Sequence, residues 1–462
     1  MSLKITKIGV TKDKISARGG ISLFLRYIEN IKLYRLISIT LVPFILLSGR
    51  GLQLQQFLKQ MFAFFIDGTD MAMTGFDRKK KDIGYACLLE NPISDMASSH
   101  QIKRFFWKFI LIKDSVYNKI LNELFIWRLH IENPRIIIMG IDTMVMDNDY
   151  SLKKEGSEVT YKKKKGFQPL HICWGPFLID VLFRKGSAHS NHRTDYTDRV
   201  TAVVNLIRKR YSKDVPIILC ADSGFSDQKA YHCFEDELHI HYITTSRIYK
   251  DVREYAKTTM ADAYDRFTNG KVTWRYFEFA DKRASWKIFR KAIFTTLSCD
   301  EQGQYLLGLD AKTDSVIYTN IGNNKIADER LRSAGGDKFF KPNEIIHLSH
   351  KRGADELIHR SIKELATKEQ LPFKSFGMNR AYYFLLVISH FIFEAYKRDV
   401  TAEVVPVGVY PNTFRRRLID FAAKITSGGR NVILNVTPER NETFKLETLW
   451  KKCQSPPIIQ FV

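Results

Sequence analysis

Three carboxylates stand where divalent-metal chemistry could use them. Asp142 closes the run Arg-Ile-Ile-Ile-Met-Gly-Ile-Asp at 135–142, and Asp222 closes Pro-Ile-Ile-Leu-Cys-Ala-Asp at 216–222. Both runs are short, apolar and β-branched, so each is expected to be a strand ending on an acid. Glu356 lies in helical sequence, with Arg352 four residues before it and Lys363 seven after it. A helix brings these three onto one face. Cutting or joining a phosphodiester needs an activated nucleophile and a stabilised leaving oxygen, and two Mg2+ ions about 4 Å apart supply both. Mg2+ takes hard oxygen ligands, so carboxylates converging from separate elements are the expected signature. Cations flanking Glu356 suit phosphate oxygens on either side. Taken singly, the residues have plainer readings. Acids commonly terminate strands, and Arg352 with Glu356, or Glu356 with Arg360, would make i,i+4 ion pairs on a surface helix.

The elements that must position these acids can be read along the chain. After the first strand come a Lys-rich loop at 162–165, a hairpin over 168–184 turning at Gly175-Pro176, and a helix over 195–211 with Val200, Val203, Val204 and Ile207 on one side. The strand at 216–222 follows. Three antiparallel strands and a crossover helix returning to a parallel fourth strand open an RNase H-like sheet, with Asp142 and Asp222 at neighbouring strand ends. The fold class expected is therefore α/β: an RNase H-like mixed sheet flanked by helices, interrupted by a β-rich insertion, with a helical N-terminal region. The corresponding boundaries are 1–130 for a helical DNA-binding region, 131–227 and 345–400 for the two parts of the catalytic core, 228–344 for the β-rich insertion, and 401–462 for a basic C-terminal region. Helical spacing is expected over 22–37, in an amphipathic helix with a capped start over 95–106, and from about 343 past 363. A basic helix over 413–425 carries Arg415, Arg416 and Arg417, which suit DNA-backbone contact or an exposed charged face. The cluster Arg78-Lys79-Lys80-Lys81 is open to the same two readings.

Composition narrows the class of partner. The 462 residues carry 72 Lys and Arg against 50 Asp and Glu, a net charge of +22, which draws the chain to polyanions; acidic membrane surfaces attract the same charge. Six cysteines form no Cys-x-x-Cys pair, so zinc sites and a disulfide framework lack support, and reduced thiols in the cytoplasm are expected. No N-terminal signal segment is expected, because charged residues run straight into Ile15-Ser16-Ala17-Arg18-Gly19-Gly20. The apolar runs at 36–48 and 382–396 read as core helices and not membrane spans, the first being short and containing Pro43 and the second holding His390 and Glu394. His171, His189 and His192 lack metal-binding spacing and read as ordinary core or surface histidines, and Asp147, Asp149 and Asp355 read as solvated acids.

The pattern Arg352-x3-Glu356-x6-Lys363 resembles the Tyr-x2-Arg-x3-Glu-x6-Lys signature of a group of bacterial insertion-sequence DDE transposases, with Ser349 at the Tyr position. Ile141-Asp142-Thr143, Ala221-Asp222-Ser223-Gly224-Phe225 and the segment at 182–190 are similar to the same family, and the likeness runs over roughly 15–440. The resemblance implies that Asp142, Asp222 and Glu356 hold two Mg2+ ions, with Mn2+ as a substitute, and that Arg352 and Lys363 hold a DNA phosphate near the cut. It implies a Trp of the insertion stacking on a flipped base while a DNA hairpin forms. Trp286 and Trp274 are the candidates, and core packing is an equal reading for both. The partners implied are double-stranded DNA, as element-end inverted repeats and target, and a second copy of the chain on that DNA, in the bacterial cytoplasm at the nucleoid. Two other readings use the same residues: an RNase H-like nuclease without strand transfer, and a non-catalytic DNA-binding descendant.

Overall fold

The computed structural model describes residues 4–460 apart from 46–50, 71, 151–152, 189–194, 247, 301, 303–313, 352–353, 367–368 and 429–430, and for 354–356 the backbone alone. In chain order the strands are β1 (Lys14–Ser16), β2 (Ile137–Thr143), β3 (Met146–Asp147), β4 (Glu158–Val159), β5 (Lys165–Phe167), β6 (Leu170–Trp174), β7 (Phe177–Leu182), β8 (Ile217–Ala221), β9 (His241–Ser246), β10 (Asp265–Asn269), β11 (Val272–Asp281), β12 (Arg290–Cys299), β13 (Ser315–Thr319), β14 (Ala423–Gly428) and β15 (Asn431–Asn435). The chain divides into two units, one of Met1–Ile120, Leu152–Glu155 and Arg360–Val462, the other of Leu121–Ser151 and Gly156–His359.

The second unit is built on one sheet in the order β10-β11-β12-β13-β9-β8-β2-β6-β7. β2 pairs antiparallel with β6 and parallel with β8, and β8 pairs parallel with β9. The stretch β7-β6-β2-β8-β9 is thus the RNase H-like order expected from the sequence. Isoleucine-rich strands form here because β-branched side chains pack well on a pleated, buried surface; all five residues of β8 are buried. The crossover helix Asp195–Arg210 buries Val200, Val203, Val204 and Ile207. Arg199 grips Asp180 of β7 with two donors, Nε at 2.6 Å from Oδ1.

The strands expected as an inserted domain are present, but they hydrogen-bond into this same sheet. β9 has a free edge once β8 is paired, and β13 satisfies it antiparallel, Val316 opposite Ser246. One apolar cluster joins Ile218 and Ile243 to Phe267, Ile293, Ile317 and Leu331, so strands on both sides of the expected boundary share a core. Helices Lys250–Thr258, burying Val252 and Ala256, and Lys325–Ser333, burying Ala327 and Leu331, also lie in this stretch, which was expected to be strands and loops. A small sheet, β3-β5-β4, stands where the Lys-rich loop was expected.

The first unit is mainly helical around Phe376–Tyr396, which is buried along nearly its whole length. The helix expected over 22–37 is two, Ile21–Asn30 and Leu33–Leu41, broken at Lys32, whose φ of 69° is left-handed. The start expected near 95 is set by Ser98, which with Gln101 forms a capping box. No described helix is long and apolar enough to cross a membrane. The basic helix expected over 413–425 is shorter: Pro411–Phe414 runs into a single wide turn to Ile419, and β14 begins at Ala423. Pairing with β1, Lys14 opposite Ile425, claims those residues for a sheet.

Candidate active site

Asp142 and Asp222 come together through strand register. β2 and β8 run parallel with Ile141 opposite Ala221, so the next residue on each side is an acid, on backbones about 4.8 Å apart. Asp142 Oδ1 accepts from the Thr143 amide at 2.7 Å. Asp222 stays extended and caps the turn after β8, its Oδ1 accepting from the Gly224 amide at 2.8 Å. These contacts fix both carboxyl groups at the carboxyl edge of the two central strands, where open α/β sheets place their ligands. Both residues are partly accessible.

Glu356 lies on the helix Ala354–Ala366, as its periodicity requires; its side chain, like that of Asp355, is outside the described residues. The orientation of its helix is shown by His359, one turn on. The His359 ring lies 5.5 Å from that of His171, and His171 is the cross-strand partner of Asp142. The helical turn that carries Glu356 therefore packs beside the strand pair that carries Asp142. Among the described residues no three His, Cys, Asp or Glu gather as a ready-made metal site, a set that excludes the Glu356 carboxylate. The donor set itself suits a hard cation, being two carboxylates in adjacent register with an acid-bearing helix beside them.

The flanking residues fall out unevenly. Arg352 is outside the described residues. Lys363 is on the Glu356 helix, where its Nζ donates to Glu369 at 2.8 Å. Ser349, at the family's Tyr position, is buried, and its hydroxyl pairs with that of Thr245 at 2.9 Å. Asp147 is paired with Lys164 at 2.7 Å, and Asp149 accepts from the Lys165 amide. His189 and His192 are outside the described residues. His171 is a core residue, as expected, but one placed against Asp142; its contact with His359 was not foreseen, although the three-residue spacing from Glu356 to His359 carries the signal.

Both tryptophans are packed. Trp274 stacks on Phe267 with centroids 5.7 Å apart and meets His350 at 4.5 Å. Trp286 is 8% exposed, edge-on to Tyr231 and Tyr318. It walls a cleft of about 750 Å3 with Tyr249, Arg283, Ser226, Asp227 and Lys229. That cleft borders the loop leading on from Asp222.

Arg415 requires correction as a DNA-contacting residue. It is buried, its Nε donates to Ile66 O at 2.8 Å and Nη2 to Phe65 O at 2.7 Å, and Nη1 reaches Glu364 O and Asn412 Oδ1. The Phe65 and Ile66 oxygens are open carbonyls at the end of helix Leu54–Asp67, where a cation also meets the negative pole of the helix dipole. Burial pushes its guanidinium down to about 10, still charged near neutrality. Gly68 completes the seat: at φ 61°, a Cβ there would fall 2.2 Å from Arg415 Cζ. Arg416 and Arg417 are exposed. Lys79 of the basic cluster is likewise internal, paired with buried Asp67 and with Asp70.

An RNase H-like sheet with acids at the ends of its two central parallel strands is an arrangement that metal-assisted phosphodiester chemistry could use. The chain belongs to the family described as transposase DDE domain group 1, whose model matches residues 7–451. It is a DDE transposase. No curated protein matches the chain. Among solved structures it is similar to a piggyBac transposase synaptic complex with hairpin DNA, determined by cryo-EM, at 12% identity and a TM-score of 0.38, over 96% of this chain and 83% of that one.

Proposed function

We propose that the chain binds the inverted repeats at the ends of its element as a homodimer, cuts DNA to free 3′-OH ends and joins them to target DNA. The observation that carries this reading is the parallel register setting Asp142 beside Asp222, with the Glu356 helix packed against Asp142's partner strand through His359 and His171. Asp142, Asp222 and Glu356 would hold two Mg2+ ions, or Mn2+ in their place. Bound there, the ions would activate the attacking oxygen and neutralise charge on the leaving one. The amide contacts to Asp142 and Asp222 orient both carboxylates before any ligand arrives, which limits the reorganisation needed at the reacting phosphate. Arg352 and Lys363 would hold a phosphate beside the cut, Lys363 exchanging its partner Glu369 for DNA. Trp286, on the wall of the cleft beyond Asp222, would meet a flipped base if the ends pass through a hairpin, with Trp274 as the alternative. Arg416 and Arg417 would touch the DNA backbone.

The test is incubation of the purified chain with DNA carrying the element ends, with Mg2+ or with a chelator, alongside Asp142→Ala, Asp222→Ala and Glu356→Ala. Cleaved and joined products from wild type alone, lost with chelator, are expected. Equal cleavage by all four proteins would sink the catalytic assignment, and cleavage without joining would make the chain a nuclease.

A further inference from the structure

The small sheet beyond Asp142 carries exposed charge that the catalytic acids do not explain. β3 begins four residues after Asp142, and β4 and β5 form a hairpin whose turn is Thr160-Tyr161-Lys162-Lys163-Lys164. The turn is tightly made. Thr160 N donates to Lys164 O and Lys163 N to Thr160 O, both at 2.9 Å, and Thr160 Oγ1 adds a third bond to Lys164 O. Lys163 sits at φ 59°, a left-handed conformation that costs a non-glycine residue about 1–2 kcal/mol. The base is equally close-packed. A Cβ on Gly166 would meet Met146 O at 2.1 Å, and one on Gly186 would meet Glu158 O at 2.2 Å and Gly166 O at 2.4 Å. Backbones approach this closely only where both positions are glycine.

This rigid mount presents charge. Lys162, Lys163, Lys164 and Lys165 are all exposed. Lys164 is neutralised by Asp147, whereas Lys162, Lys163 and Lys165 have no ion pair among the described residues. Lys163 is eight positions from His171, the cross-strand partner of Asp142, so the tip stands at most about 26 Å from His171 and, one strand spacing further, about 31 Å from the acid. That reach corresponds to about nine base pairs of duplex.

The geometry points to the β4–β5 hairpin as a DNA-backbone clamp, in which Lys162, Lys163 and Lys165 grip phosphates of the duplex flanking the cut. This rests on the proposed action on DNA, but not on the catalytic role of the acids. Lysine suits the task because its ammonium binds phosphate as a point charge without reading sequence. A rigid turn carrying three cations also loses less freedom on binding than a mobile tail would.

Because phosphate contacts are indifferent to sequence, a random-sequence duplex is a sufficient probe. Its affinity for the full chain is measured across NaCl concentrations for wild type, for Lys162→Gln/Lys163→Gln/Lys165→Gln, and for the same positions changed to Arg. The Gln variant is expected to bind at least about tenfold more weakly at low salt. Its slope of log affinity against log salt should be shallower by about two to three, at about 0.9 per lost phosphate contact, and the Arg variant should restore both. An unchanged slope in the Gln variant overturns the clamp, whether or not affinity falls, because a merely structural loss leaves the number of displaced counterions alone. A loss seen only on phosphatidylserine vesicles overturns it in favour of a lipid surface. Asp142→Asn separates the two readings: it should abolish cleavage of element-end DNA and keep the wild-type slope on the random duplex. If wild type binds but never cuts, the catalytic reading fails while the slope still decides the clamp.

Discussion

At Asp142 the carboxylate accepts from its neighbour's amide and stands one strand away from Asp222, so replacing either acid by Asn preserves shape while removing charge. Cleavage should fall about a thousandfold or more in Asp142→Asn and Asp222→Asn, since metal-borne charge stabilisation amounts to several kcal/mol and about 1.4 kcal/mol is tenfold in rate; thermal unfolding should shift little. Arg415 behaves oppositely. Arg415→Ala strips the cap from the helix Leu54–Asp67 and leaves buried carbonyls unpaired. It should therefore destabilise the chain by roughly 3–5 kcal/mol in urea titrations, whereas Arg416→Ala and Arg417→Ala should stay within about 0.5 kcal/mol. His390 supplies a pH signature. Its Nε2 meets Ser361 Oγ at 3.0 Å, with Glu394 at 3.9 Å, and burial, with Lys397 and Arg398 nearby, pushes the imidazole down to about 3. Between that value and about 6.5 the unfolded chain takes up a proton that the folded chain refuses. Stability from this group is therefore complete above about 6.5 and is lost as pH falls through the window. His390→Gln should flatten the acid limb by up to about 1.4 kcal/mol per pH unit, read from urea midpoints.

Elements here are held by a few terminal devices and close approaches. In the helix Ser99–Trp107, Ser98 Oγ accepts from Gln101 N at 3.3 Å while Gln101 Oε1 accepts from Ser98 N at 2.8 Å. Ser98→Ala should cost about 1 kcal/mol, and a stability loss below a few tenths would show that the helix is held by packing alone. The hairpin of β4 and β5 depends on Gly166. A methyl there cannot coexist with Met146 O, so Gly166→Ala should displace the Lys-bearing turn and destabilise by about 1–3 kcal/mol. Amide exchange of Thr160 and Lys163 should quicken as their turn bonds open; unchanged protection would mean the small sheet tolerates the methyl.

For the molecule as a whole, a net charge of +22 predicts sequence-independent attraction to DNA that weakens steeply with salt. Cations held inside the fold cannot reach phosphate, as with Arg415 against backbone carbonyls and Lys79 against buried Asp67. The chain should thus release fewer counterions on DNA than its formal charge suggests, and a salt slope approaching twenty would contradict that. The nine-stranded sheet has a parallel consequence. Because Ile218 and Ile243 share a core with Ile293 and Ile317, excising 228–344 should unfold the second unit instead of leaving a trimmed core, a result that far-UV dichroism would show.

Legible in the sequence alone were the strand that carries Asp142, the strand that leads into Asp222, the crossover helix of 195–211 and the helical stretch around Glu356. Each is a local pattern, a β-branched run or a 3.6-residue periodicity, that needs no distant partner to be read. Tertiary structure decided what depends on partners far along the chain. β13 joins β9 because an open edge must be paired, β14 displaces an expected helix because β1 pairs with it, and Arg415 turns inward because helix Leu54–Asp67 ends on unpaired carbonyls. The setting of Asp142 lies between the two. Its acid was legible, but its nearness to Asp222 and to the Glu356 helix follows from the β2–β8 register and the contact of His171 with His359, neither of which any local pattern encodes.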